Sequence, residues 1–167
     1  AELLRGAEGT TVSVTVRRQG RDLTVTCTRR QVNQVYVSSS TPADGVEYIK
    51  VSAMGSENDW TAFSEIWEGL GEKNTRAVIL DLRGNGGGVI DVALKMANAM
   101  TEDEGVYLAG TRWREDMGGL EQTYSTGGGL PLNQIVVLVD GGTASAAELL
   151  AGSLQDTADA VLVGETT

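Results

Sequence analysis

The pattern of apolar and polar positions predicts strands and helices in regular succession along the chain. Two mostly apolar runs, at residues 77–82, where Asp81 is the one polar residue, and at 135–139, are typical of strands that a parallel sheet buries on both faces. Further strands are predicted at 46–51 and 160–163. Because helical patterns separate these strands, we expect an α/β fold with a mostly parallel sheet and right-handed crossovers.

Three segments have the helical pattern of apolar residues. The first begins at a cap on Ser56 or Asn58 and ends near Gly71 and Asn74. Its apolar face, which we interpret as core, comprises Trp60, Phe63, Ile66, Trp67 and Leu70. The side chains of the second helix that are predicted to face the core are those of Ile90, Ala93, Leu94 and Ala97. The third covers residues 149–156.

The N-terminal part of the chain has a different pattern. Residues 11–16 and 23–28 alternate as strands around a turn at Gln19 and Gly20, and Cys27 is predicted to be a small packing residue. Residues 1–31 have a net charge of +3, whereas residues 32–167 have a net charge of −13. We therefore place a boundary near residue 31 and interpret the Ser- and Thr-rich residues 32–44 as a linker. Residues 106–108 and the stretch around Arg112, Trp113 and Arg114 are predicted edge strands or a hairpin.

Composition excludes several classes of function. The acidic core disfavours nucleic-acid binding, and no metal-ligand motif or cofactor fingerprint is present. A single cysteine cannot form an intrachain disulfide. No apolar run reaches membrane-spanning length, and no signal peptide is visible. The first residue is not methionine, so the start of the chain is interpreted as a cut in a longer protein.

Ser145 is the strongest candidate for chemistry. It follows the apolar strand at 135–139 and precedes a helix, so its hydroxyl is placed at a sharp turn beside free backbone N–H groups. The chain has no histidine, so it cannot supply a Ser-His-Asp triad, and lysine is the usual substitute for the base. A small residue at a crowded turn, or a plain helix cap, explains the same pattern.

The chain contains three lysines, and none has a clearly apolar setting. A lysine that acts as a base needs a pKa well below about 10.4, which requires burial. Lys73 lies in a polar turn, Lys95 follows Asp91 by four residues and is predicted to pair with it, and Lys50 is predicted to face water.

The glycine-rich turn at residues 84–88 does not match a phosphate-binding loop. No Gly-Lys-Ser/Thr follows it, and Val89 stands where a dinucleotide fingerprint requires its third glycine.

Three segments resemble the carboxyl-terminal processing (tail-specific) serine proteases of peptidase family S41. The segment from 143 to 156 is similar to the nucleophile helix, 78–88 to a strand that ends in Asp-Leu-Arg before an Asn-x-Gly-Gly turn, and 45–51 to the first core strand. Their order along residues 45–167 is that of the family. Residues 4–10 resemble the end of a PDZ domain, as these proteases contain.

The resemblance implies a fold and a mechanism. The fold would be a ClpP/crotonase-like layered α/β core at 45–167, incomplete at its C-terminus and preceded by the C-terminal part of a PDZ domain at 1–31. Ser145 would be the nucleophile of a Ser–Lys dyad, and the amides of Gly87 and Ala146 would form the oxyanion hole. Asp81 and Arg83 would hold the turn, and Glu148 would either orient the nucleophile helix or be exposed.

The family's lysine would fall just beyond Thr167, so we expect this fragment to be inactive without it. Substrates would be proteins or peptides with accessible C-termini, no cofactor or metal would be needed, and the location would be extracytoplasmic. The sequence leaves the oligomeric state open.

Two other functions are compatible with this type of core. Retinoid-binding modules of the photoreceptor matrix share it and carry apolar ligands, for which a cavity matters and a nucleophile does not. Crotonase-like enzymes also bind an oxyanion with this type of core and act on acyl-CoA, although this sequence has no pair of acidic residues placed to act as the base. The setting of Ser145 and the glycine-rich turn favour the protease.

Overall fold

A computed structural model describes residues 4–30, 34–112, 114, 116, 118–132 and 134–167 of the chain. The chain divides into two units, the first ending at Gln34 and the second covering Val35–Thr167. None of the helices in these described ranges combines the length and the apolar composition needed to cross a bilayer.

The first unit contains an antiparallel hairpin of β1 (Thr11–Arg18) and β2 (Arg21–Thr28). Gln19 and Gly20 form the predicted turn with φ of 52° and 75°, as in a two-residue hairpin loop. The prediction for Cys27 is wrong, because this residue is exposed. It shares an apolar face with its cross-strand partner Val12, and no second layer covers that face among the described residues of this unit.

The second unit is built on a five-stranded sheet. Its strands, in spatial order, are β3 (Val37–Ala43), β4 (Val46–Val51), β5 (Ala77–Asp81), β8 (Gln134–Val139) and β9 (Val161–Gly164). Strand β3 is antiparallel to β4 and the other neighbours are parallel, so the predicted mostly parallel sheet is confirmed. The linker prediction is wrong for residues 37–43, which form β3. This edge strand is held by backbone pairing with β4 and exposes most of its side chains, so it needs no apolar pattern.

Three helices complete the core: α1 (Glu57–Glu72), α2 (Ile90–Met100) and α3 (Ala146–Thr157). Helix α2 contacts both α1 and α3, and the three helices pack with alternate residues of β4, β5 and β8 in one apolar cluster. Ile90 was predicted to face inward and is 48% exposed, because the buried face of α2 is centred on Val92, Ala93 and Met96. Ala93 and Ala97 are buried as predicted.

After α2, residues 106–108 and Arg112 lie in one strand, β6 (Glu104–Arg112), which forms a hairpin with β7 (Leu120–Thr126), a strand that the sequence did not predict. Trp113, which we assigned to this region, lies outside the described residues. Strands β5 and β8 are parallel neighbours with Asp81 opposite Leu138, so the segments that follow them meet at one edge of the sheet. Those segments are the glycine-rich turn and the turn that contains Ser145.

Candidate functional site

Ser145 connects the turn after β8 to helix α3 in an unusual backbone conformation. It is exposed, and its φ of 57° and ψ of −122° lie outside the regions that L-residues prefer. Such a conformation costs on the order of 1–3 kcal/mol and persists only where the surrounding structure imposes it. A strained strand-to-helix turn of this kind presents a serine hydroxyl at the edge of a sheet in other hydrolase folds.

The first turn of α3 leaves one amide group open beside Ser145. The carboxylate of Glu148 accepts the Ser145 N–H through Oε2 at 2.7 Å. The Ala146 N–H has no hydrogen-bond acceptor among the described residues. Since the N-terminus of a helix carries partial positive charge, this N–H is suited to binding an oxygen that becomes negative.

The glycine-rich turn lies directly against residues 144–146, which form this strand-to-helix turn and are called the Ser145 elbow below. Gly87 is buried with φ of 90°, and a Cβ atom at this position would lie 2.8 Å from Ala146 N and 2.9 Å from Ser145 Cβ. Only glycine allows so close an approach of the two backbones. The structure therefore brings Gly87, Ser145 and Ala146 together.

The Gly87 amide differs from the sequence expectation in one respect. The resemblance predicts that its N–H is a free oxyanion donor, whereas in the structure this N–H donates to Asn85 Oδ1 at 2.8 Å. Of the two expected donors, Ala146 is open and Gly87 is occupied by a neighbouring side chain.

Asp140 and Thr143 join the two turns, and sequence analysis missed both. Asp140 Oδ1 accepts the N–H of Gly84 at 2.8 Å and of Gly142 at 2.9 Å, and these bonds hold the pKa of the carboxyl group below its usual range. Thr143 Oγ1 donates to Leu82 O at 2.9 Å. Asp140 directly follows a buried parallel strand, and that position was the available signal.

Asp81 is fully buried and anchors the start of the glycine-rich turn. Arg83 donates to both of its carboxylate oxygens, at 2.9 Å from Nε and 2.8 Å from the terminal nitrogen, and this pair holds the pKa of Asp81 well below its usual range. Sequence analysis missed Tyr48, whose hydroxyl donates to Asp81 Oδ2 at 2.5 Å. That hydrogen bond raises the pKa of Tyr48. Asp81 and Arg83 thus hold the strand end, as expected.

None of the three lysines forms a hydrogen bond with Ser145 in the described part of the chain. The predicted Lys95–Asp91 pair is wrong, because Lys95 Nζ reaches across to α1 and lies 2.7 Å from both carboxylate oxygens of Glu57. Lys73 is half exposed and lies 3.3 Å from the buried carboxylate of Glu47. Lys50 is half-buried on β4 opposite Asp81.

Comparison with known proteins agrees with this mixed α/β core. Residues 45–167 match peptidase family S41, and the chain belongs to that family. It is 33% identical to carboxyl-terminal-processing peptidase 2, chloroplastic, of Arabidopsis thaliana, over 100% of this chain and 33% of the relative. It is 35% identical to a carboxyl-terminal-processing protease of Picosynechococcus sp., over 100% of this chain and 40% of the relative.

A solved structure shows the same fold. The photosystem II D1 C-terminal processing protease superposes with a TM-score of 0.65 at 26% identity, over 96% of this chain and 45% of that protein. The chain thus spans between 33% and 45% of the length of these relatives.

Proposed function

We propose that the chain carries the nucleophile and oxyanion hole of a serine endopeptidase that cleaves proteins near their C-termini. Ser145 Oγ attacks the scissile carbonyl carbon, and the N–H groups of Ala146 and Gly87 bind the oxygen as it becomes negative. A neutral lysine takes the hydroxyl proton and returns it to the leaving amine, and water then hydrolyses the acyl-enzyme.

The general base of this proposal is a lysine beyond Thr167, where the family resemblance puts it. The settings of Lys50, Lys73 and Lys95 support this assignment, since two of them are paired with carboxylates and none contacts the serine. Residues 1–167 alone are then inactive.

The conformation of Ser145 is the observation that carries the proposal. A helix cap does not require φ of 57° and ψ of −122°, because extended backbone serves that purpose. The strain is explained if the serine must be presented to a substrate next to Gly87 and the open Ala146 N–H.

Three further features belong to the same proposal. The core is of the ClpP/crotonase type, residues 1–31 are the C-terminal part of a PDZ domain, and the protein acts outside the cytoplasm on proteins with accessible C-termini. The chloroplastic and bacterial processing proteases among the relatives support the location.

A carrier of apolar ligands fits the core less well. A cavity of about 300 Å³ in the second unit is lined in part by Glu102, Asp103 and Asp159, and such a lining does not suit an apolar ligand.

The test is peptide hydrolysis by the longer protein that contains this chain, beside its Ser145→Ala variant. We expect the substitution to lower kcat by at least about 10³-fold, because it removes the nucleophile. The matched control is Ser153→Ala, since Ser153 lies in the same helix with a buried hydroxyl that has no partner among the described residues. Equal activity of the two variants would show that Ser145 is not the nucleophile.

A further inference from the structure

Asn85 is buried at the centre of the site, and each of its polar groups is hydrogen-bonded. Its carboxamide donates from Nδ2 to Val51 O at 2.9 Å and accepts the Gly87 N–H at 2.8 Å. Its backbone N–H donates to Leu82 O at 3.0 Å, and its backbone carbonyl accepts the Ala144 N–H at 2.9 Å. One residue therefore connects the end of β4, the glycine-rich turn and the residue before Ser145.

We propose that Asn85 is a positioning residue that fixes the Gly84–Gly88 turn against the Ser145 elbow and holds the Gly87 N–H until the substrate oxygen replaces it. This inference rests on the function proposed above. It also accounts for the occupied Gly87 amide, because a donor in an empty oxyanion hole is otherwise a buried N–H without an acceptor.

The exchange of acceptors is physically favourable. A buried N–H that lacks a partner is destabilising, so the Asn85 oxygen stabilises the empty site. An oxygen that becomes an anion forms a stronger hydrogen bond than a neutral amide oxygen does, so it can displace Asn85 as charge develops. The bond from Asn85 Nδ2 to Val51 O is independent of this step and keeps the side chain in place.

The chemistry requires asparagine in particular. One planar group must donate a hydrogen bond to Val51 O and accept one from the Gly87 N–H, and the donor and acceptor atoms must be attached to the same carbon. Aspartate as an anion keeps the acceptor and loses the donor, and its charge opposes a second negative oxygen nearby. Alanine loses both contacts.

The first experiment measures kcat and KM in the longer protein for Asn85→Ala, Asn85→Asp and a control. The control is Thr101→Val, which removes a buried hydroxyl at the C-terminal end of α2. This hydroxyl donates a hydrogen bond to Ala97 O at 2.9 Å. We expect both Asn85 variants to lose about 10²–10³-fold in kcat, the effect of losing one oxyanion donor, with KM changed less than about twofold. A kcat within about threefold of the control for either variant overturns the proposal.

The second experiment needs no catalysis and follows amide hydrogen exchange of Gly87 by NMR in the longer protein. We expect the Gly87 N–H to be protected in the unchanged chain and in Asn85→Asp, and to exchange at least about tenfold faster in Asn85→Ala, with no such change in Thr101→Val. Equal exchange of Gly87 in the unchanged chain and in Asn85→Ala overturns the proposal.

The two proposals fail separately. If Ser145→Ala keeps its hydrolytic activity, the proposed protease mechanism is wrong, and the Gly87 exchange rates still decide whether Asn85 holds that amide.

Discussion

Helices α1 and α3 begin with the same short pattern and differ in what that pattern does. Ser56 with Asp59, and Ser145 with Glu148, both place a serine at the cap and an acid three residues later. Ser56 has extended backbone with φ of −166°, whereas Ser145 has φ of 57°. One serine closes a helix end without strain, and the other is held in a conformation that its side chain disfavours.

The acids of the two helix ends differ as strongly as the serines. Asp59 is fully buried and accepts three backbone N–H groups, from Tyr36 at 2.7 Å, Gly55 at 2.8 Å and Ser56 at 3.0 Å. Glu148 is exposed and accepts one, from Ser145. At both ends the N–H of the first helical residue, Glu57 in α1 and Ala146 in α3, has no acceptor among the described residues, but Glu57 is exposed whereas Ala146 is buried. The comparison teaches that an open N–H is common to both helix starts, and that the conformation of the serine and the packing of Gly87 beside it distinguish the α3 end.

The largest difference between the two helix ends is expected when one methyl group is added beside each of them. In Gly87→Ala the Cβ atom would lie 2.7 Å from Ala144 O and 2.8 Å from Ala146 N, so the elbow must move. We expect kcat of the longer protein to fall by about 10²–10³-fold, as when an oxyanion donor is lost.

The matched variant at the other helix is Gly55→Ala. Its Cβ atom would lie 3.2 Å from the edge of the Tyr36 ring, which can shift slightly. We expect kcat to stay within about twofold of the unchanged enzyme, since the nearest atoms to the added Cβ would be those of the Tyr36 and Asp59 side chains and not those of the Ser145 elbow. A Gly87→Ala enzyme with normal kcat would contradict the close packing of the two turns.

The next effect concerns the free energy of unfolding. Here the substitution at the start of α1 is expected to have the larger effect, and the substitution at the start of α3 the smaller one. Asp59→Ala leaves three backbone N–H groups without their acceptor in a buried place, and we expect a loss of about 3 kcal/mol in the free energy of unfolding. Glu148→Ala frees one N–H at an exposed position, where water can replace the carboxylate, and should cost less than about 1 kcal/mol. Urea unfolding of the two variants measures both values. Equal losses would mean that Glu148 is as structural as Asp59.

Sequence reasoning predicted the parts of this molecule in which burial determines residue type. The apolar runs of β5 and β8 predicted the central strands, and the face of α1 predicted the core because Phe63 and Leu70 must avoid water. Sequence reasoning missed β3, because most of its side chains are polar and exposed. Backbone hydrogen bonds to β4 hold this edge strand, so it needs no apolar pattern.

The candidate site was predictable in its position and less so in its contacts. Ser145 follows an apolar strand and precedes a helix, and local sequence shows that directly. Asn85 and Asp140 act across more than fifty residues of chain, on Ala144 and on Gly84 respectively, and no local pattern records such contacts. The Lys95 pairing failed for the same reason, since its partner Glu57 lies on another helix.

The smallest effect isolates the backbone strain at Ser145. Replacement of an N-cap serine by glycine costs a few tenths of a kcal/mol and by alanine about 1 kcal/mol, so glycine is the better substitute at either helix. At Ser145 alanine keeps the Cβ atom that disfavours φ of 57°, whereas glycine removes it. The advantage of Ser145→Gly over Ser145→Ala should therefore exceed that of Ser56→Gly over Ser56→Ala by about 1 kcal/mol. Thermal or urea unfolding of the four variants gives this double difference. Equal advantages at the two positions would mean that Ser145 is not strained, and the main structural argument for its role as nucleophile would be lost.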